Sequence, residues 1–175
     1  MNLLLEQVFR ECFLEDYRTV LLGGAEEPLY QPAPMTGELH RIFYRHDYAA
    51  SALHEVAHWC IAGPARRTRL DYGYWYAPDG RDASQQRAFE QVEVKPQALE
   101  WHFARACDRD FRLSADNLDG ESGNLAVFAA AVREQARRYC AEGLPPRAAR
   151  FRDRLSARFR SGALPDLSEF SELAA

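Results

Sequence analysis

The sequence predicts an α+β fold, a small sheet packed by several helices. Apolar residues recur with a helical rhythm in five stretches. Short runs rich in β-branched and aromatic residues lie between them. No internal repeat, long linker or low-complexity tract interrupts the chain, so one domain over residues 1–175 is the economical reading, with 162–175 as a short acidic tail.

The elements follow in order. Leu4, Val8, Phe9, Cys12 and Phe13 set the apolar face of a helix over 3–14. Tyr17 to Leu22 reads as a strand stopped by Gly23-Gly24, and Pro28 to Pro32 as an extended piece, the return strand of a hairpin. Arg41 to Tyr44 is a further strand. Asp47 is placed to cap a helix running to Ile61, which Gly63 and Pro64 terminate. Its core stripe is Ala50, Leu53, Ala57 and Ile61. Leu70 to Tyr76 reads as a strand ended by the turn Pro78-Asp79-Gly80. A helix over 82–106 carries Pro96, which cannot donate back to Val92. A short extended piece near Phe111–Leu113 precedes helices over 124–141 and 147–161. Gly143 ends the first of these, and Pro145-Pro146 opens the second.

Bulk properties narrow the function classes. Hydrophobic content of 47% and charged content of 27% are ordinary for a globular protein. No run of eighteen apolar residues exists, and the opening residues lack a basic segment, so neither a membrane span nor a signal peptide is expected. Cys12, Cys60, Cys107 and Cys140 show no C-x-x-C spacing, which fits reduced thiols in a cytoplasmic protein. A net charge of -4 gives no reason to expect direct nucleic-acid binding.

The chemistry concentrates in His54-Glu55-Val56-Ala57-His58. Two imidazoles four apart on a helix share one face and converge on one spot, the usual arrangement for a divalent transition metal. Ser51, His54 and His58 form a stripe beside the core stripe. A catalytic metal site takes three protein ligands and leaves a position open. A third His six residues beyond His58 would complete one metalloprotease pattern, but none follows until His102. The alternative is a carboxylate from the 82–106 helix, where Glu90, Glu93, Gln97 and Glu100 form one polar stripe beside Phe89, Val92, Leu99 and Phe103. Glu90 and Glu100 read either as a solvated face or as ligand candidates, with Glu100 the second choice for third ligand. Glu93, flanked by Val92 and Val94, reads as buried, and a buried carboxylate needs a cation. A His54, His58, Glu93 set serves either hydrolysis on zinc, with Glu55 as general base, or O₂ activation on Fe(II), with Glu55 orienting water or moving a proton.

The stretch Ala50 to Gly63 around His54-Glu55-Val56-Ala57-His58-Trp59 resembles the signature of the bacterial elongation factor P hydroxylase family. So do Asp71-Tyr72-Gly73-Tyr74-Trp75-Tyr76-Ala77-Pro78-Asp79-Gly80-Arg81-Asp82 and Phe89 to Trp101, and similarity extends from the first helix through Phe151. The resemblance implies a non-haem Fe(II), O₂-dependent hydroxylase. Its substrate would be the lysine of elongation factor P that already carries β-lysine. It also implies a fold like that of a small metal-dependent bacterial ribonuclease. The ligands it implies are His54, His58 and Glu93, a site that zinc or another divalent ion is also able to fill.

Secondary candidates surround this set. The aromatic run ending at Tyr76 suits the wall of a cleft for an aliphatic lysyl arm. Asp79 and Asp82, beside Arg81, are placed to receive ammonium groups, although a turn Asp and a helix cap are equally good readings. His46 reads as a loop anchor; His40 and His102 read as surface or core residues. Arg147, Arg150, Arg154 and Arg158 fall on one face of the last helix, a solvated stripe or a docking face for an acidic partner surface.

Overall fold

The computed structural model describes residues 1–71, 83–114, 122–171 and 173, with residues 83–90 and 122–124 described by backbone alone. Its longer elements are α1 (Asn2–Tyr17), β1 (Thr19–Ala25), β2 (Leu29–Gln31), β3 (His40–Arg45), α2 (Ala49–Ile61), α3 (Ala83–Ala106), α4 (Ser122–Glu142) and α5 (Pro146–Phe159). Short 3-10 turns at Arg66–Thr68 and Leu167–Phe170 complete the described elements. The α+β expectation holds, with helices outweighing a three-stranded sheet.

The strand order is β1-β3-β2, with β1 parallel to β3 and β2 antiparallel to it. The expected hairpin between the first two strands does not form. After β1 the chain crosses to the far edge of the sheet, and β3 then inserts between β1 and β2. In that central position β3 buries Ile42 and Tyr44. Glu6 on α1 accepts hydrogen bonds from the Tyr44 hydroxyl at 2.9 Å and the Gly23 amide at 3.1 Å, fastening α1 across the sheet. Gly23 is needed there because a Cβ would lie 2.6 Å from that hydroxyl.

Helix α2 runs through the middle of the molecule, against α3, β3, α1 and α5. Its buried face is wider than the expected stripe: Ala49, Ala52, Leu53, Val56, Ala57, Trp59 and Cys60 are buried, while Ala50 is exposed. Asp47 does not cap it. The N-cap is Tyr48, one residue later, and the Asp47 carbonyl instead accepts from the Asn2 amide. The other end is held from outside. The Arg147 guanidinium donates to the carbonyls of Cys60 and Ala62 and lies 4.7 Å over the Trp59 ring, satisfying carbonyls that a helix end leaves free.

Within the short acidic tail expected from residue 162, Phe170 is fully buried, 5.2 Å from the Trp101 ring and 4.2 Å from the His102 ring. A capping box of Asp166 and Glu169 shapes the turn that delivers it. The α5 arginine stripe is solvated at Arg150, Arg154 and Arg158, with Arg150 paired to Asp16 and Arg154 to Glu11, both on α1, while Arg147 is the helix clamp described above. The segment Phe111–Leu113 has one bridge residue, Arg112, and is otherwise irregular. Of the strand expected over Leu70–Tyr76, Asp71 forms an antiparallel bridge with Tyr30, and residues 72–76, with the turn at 78–80, lie outside the described residues. Among the described residues no helix is long and apolar enough to cross a membrane.

Candidate metal centre

α2 and α3 pack side by side, and their facing sides carry the expected ligands. His54 Nε2 and His58 Nε2 are 3.0 Å apart. Glu93 reaches between them, Oε1 lying 3.2 Å from His58 Nε2 and Oε2 3.5 Å from His54 Nε2. The three ligand atoms all lie within 4.8 Å of one another.

Glu93 is 2% exposed, as the sequence suggested, but for a different reason. Val92 is 66% exposed, so flanking valines do not bury it. Neighbours on a helix point about 100° apart and cannot share a face. The polar stripe itself turns inward: Glu93, Gln97 and Glu100 are all buried. The solvated reading of Glu100 is therefore wrong. Its Oε2 lies 2.9 Å from His54 Nδ1. Gln97 pairs with the backbone of Ser114 through both polar atoms, its Nε2 donating to the carbonyl at 2.6 Å and its Oε1 accepting from the amide at 3.1 Å. The side chain of Glu90 lies outside the described residues.

Glu55 points to the same region from α2 and is buried. It helps to line a cavity of about 30 Å³ bounded also by Tyr30, Ile42, His58, Trp59 and Asp71, room for a water molecule or two. A larger cleft of about 380 Å³, lined by Leu53, Arg109 and Phe111 among others, reaches Glu100 on the other side of His54.

The electrostatics call for a cation. Burial pushes the carboxyls of Glu55 and Glu100 above their ordinary range. Burial works to raise Glu93, but the hydrogen bond to His58 together with the charges of His58 and His54 outweighs it and holds that carboxyl low. For His54, burial disfavours the charged ring, yet Glu100, Glu93 and Glu55 together push its pKa up to about 10. Glu93 Oε2, buried, has no hydrogen-bond partner among the described residues. Two imidazole nitrogens, an orphaned carboxylate oxygen and no thiol form a donor set suited to Fe(II), Zn(II) or a similar divalent ion. The residues present fit such an ion. The buried thiols Cys12 and Cys107 are pushed up by burial to about 11 and about 12, and they stay protonated.

Other sequence candidates resolve differently. His46 is an exposed turn residue at φ 46 whose backbone bonds Gly24 and Ala25. His40 Nδ1 accepts from the Ala33 amide. His102 is a core residue whose Nε2–H donates to the Ala136 carbonyl at 2.9 Å. Tyr76, Asp79, Arg81 and Asp82 lie outside the described residues. Sequence reading missed the roles of Gln97, Glu100 and Arg147. The inward turn of Gln97 and Glu100 had one legible signal, their +4 and +7 spacing from Glu93. Arg147 had none, since its partners are more than eighty residues away.

Fold and site together define an α+β protein with a candidate single-ion centre of two histidines and one carboxylate. Residues 8–169 match the elongation factor P hydroxylase family, and the chain belongs to that family. A Haemophilus influenzae protein named elongation factor P lysine hydroxylase is 45% identical over 163 residues, covering 93% of this chain and 92% of its own.

Proposed function

We propose that this protein hydroxylates elongation factor P on the lysine that carries β-lysine, using Fe(II) and O₂. The observation that carries the reading is the convergence of His54, His58 and Glu93 in a chain that aligns over almost its full length with a protein named elongation factor P lysine hydroxylase. Bound Fe(II) would supply the activation of O₂. The chain's own residues do the rest. His54 and His58 would each present a ring nitrogen to the ion, and Glu93 would present a carboxylate oxygen. Glu55, at the edge of the small cavity, holds water in place or moves a proton beside the centre. In this reading Tyr76 lines the path of the lysyl arm, while Asp79 and Asp82, beside Arg81, receive its ammonium groups. The protein would meet its substrate in the cytoplasm, on a fold like that of a small metal-dependent ribonuclease.

The zinc hydrolase alternative uses the same ligands with Glu55 as base, and family membership favours hydroxylation over it. Intact-mass spectrometry separates the two. β-Lysylated elongation factor P incubated in air with this protein and ferrous salt should gain one oxygen atom, and His54→Ala should abolish the gain. No gain, with cleavage of the substrate instead, would overturn the proposal.

A further inference from the structure

Glu100 stands apart from the three convergent ligands. Its Oε2 meets His54 at Nδ1, the ring nitrogen facing away from His58 and Glu93. An ionised carboxylate only accepts hydrogen bonds, so the Nδ1 it contacts must carry the proton. The other nitrogen, Nε2, is then left with its lone pair. That lone pair is directed at the point shared with His58 Nε2 and Glu93. Without an acceptor behind it, a neutral imidazole is free to carry its proton on Nε2, and such a ring cannot bind a metal there.

We infer that Glu100 is a positioning residue of this centre, which fixes His54 in the Nδ1–H tautomer and aims its Nε2 at the metal. Two further observations support the role. Glu100 is 6% exposed, a costly place for a carboxylate unless it is tied to a partner, and among the described residues His54 is the hydrogen-bond partner it has. It also lies on the same helix as Glu93 at +7, two turns along, so one rigid element sets the carboxylate ligand and the orientation of a histidine ligand at once. Because α3 fixes this spacing, Glu100 approaches His54 from behind while Glu93 reaches its front. The inference rests on the metal reading of the site.

Its test is metal affinity and ring tautomer, measured apart from hydroxylation. Zinc and ferrous titrations of the wild-type protein come first; if neither ion binds, the metal reading itself fails. Given binding, Glu100→Leu should weaken it by roughly 10- to 100-fold, the usual cost of losing an outer hydrogen-bond partner. Long-range proton–nitrogen correlation spectra of histidine-labelled, zinc-loaded protein should show a His54 proton held on Nδ1 against exchange, and Glu100→Leu should release it. Glu100→Gln keeps an oxygen for the Nδ1–H without the charge, so it should retain the tautomer and lose affinity only several-fold. That variant decides the matter if Glu100→Leu does not fold. Unchanged affinity and unchanged His54 signals in the variants that fold would overturn the inference. So would a cobalt spectrum in which Glu100→Gln removes one protein ligand, because Glu100 would then bind the ion itself.

Discussion

The two helices that build the centre differ in how they bury polar groups. α2 is an apolar helix surrounded on several sides, and its histidines sit at the edge of that apolar face. α3 carries a whole polar strip, Glu93, Gln97 and Glu100, inside the protein. A buried strip of this kind is costly unless each member finds a partner, and here each one does: the imidazoles for the two carboxylates and the Ser114 backbone for the amide. α2 therefore brings the two imidazoles of the candidate site, while α3 brings its negative charge. Polar residues at helical spacing belong to a solvated face only when no charged or hydrogen-bonding partner lies opposite.

The contrast is open to direct attack. Glu93→Ala strikes it hardest, since it removes the one carboxylate that α3 gives to the triad. Metal retention, read by elemental analysis after desalting, should be lost, whereas His102→Gln on the same helix should leave it intact. Retention in Glu93→Ala would mean that α2 suffices.

The next effect is on stability in acid. Burial lowers the pKa of His102 to about 4, against about 6.5 in an unfolded chain. The unfolded protein therefore takes up this proton first as pH falls. The contribution is complete above pH 6.5 and declines as pH drops towards 4, by on the order of 3 kcal/mol. Urea unfolding across that range should show the slope, and His102→Gln should flatten it.

Arg147→Ala sharpens the picture of α2, whose last carbonyls depend on a side chain from α5. Losing those charged hydrogen bonds and the contact with Trp59 should cost about 2 kcal/mol in denaturant unfolding. The α1–α5 seam gives the smallest effect. Arg154→Glu breaks a half-exposed pair with Glu11 and should cost less than about 1 kcal/mol, with little change in the rate of substrate modification. A large rate loss would mark this face as a docking surface.

Much of α2 was legible because its signals are local: two histidines at fixed spacing, apolar neighbours, and Gly63-Pro64 after the end. Glu93 was legible only by its outcome. Adjacent valines suggested burial, but Val92 faces solvent and the opposing helix does the burying. The sheet order was not readable from strand patterns, since β1 and β2 both pair with β3 and nothing in their short runs distinguishes a hairpin from an insertion. The packing of the final segment was not readable for a similar reason. One aromatic among acidic and small residues carries little periodicity, yet Phe170 finds a place in the core.

That placement of Phe170 has a practical side for anyone trimming the gene. The ring rests on Trp101 and His102, immediately beyond Glu100 on α3. Ending the protein after α5 would take away a plug from beneath the helix that carries Glu93. Loosened packing there would be felt at the ligands themselves, so the boundary for an expression clone belongs beyond residue 170.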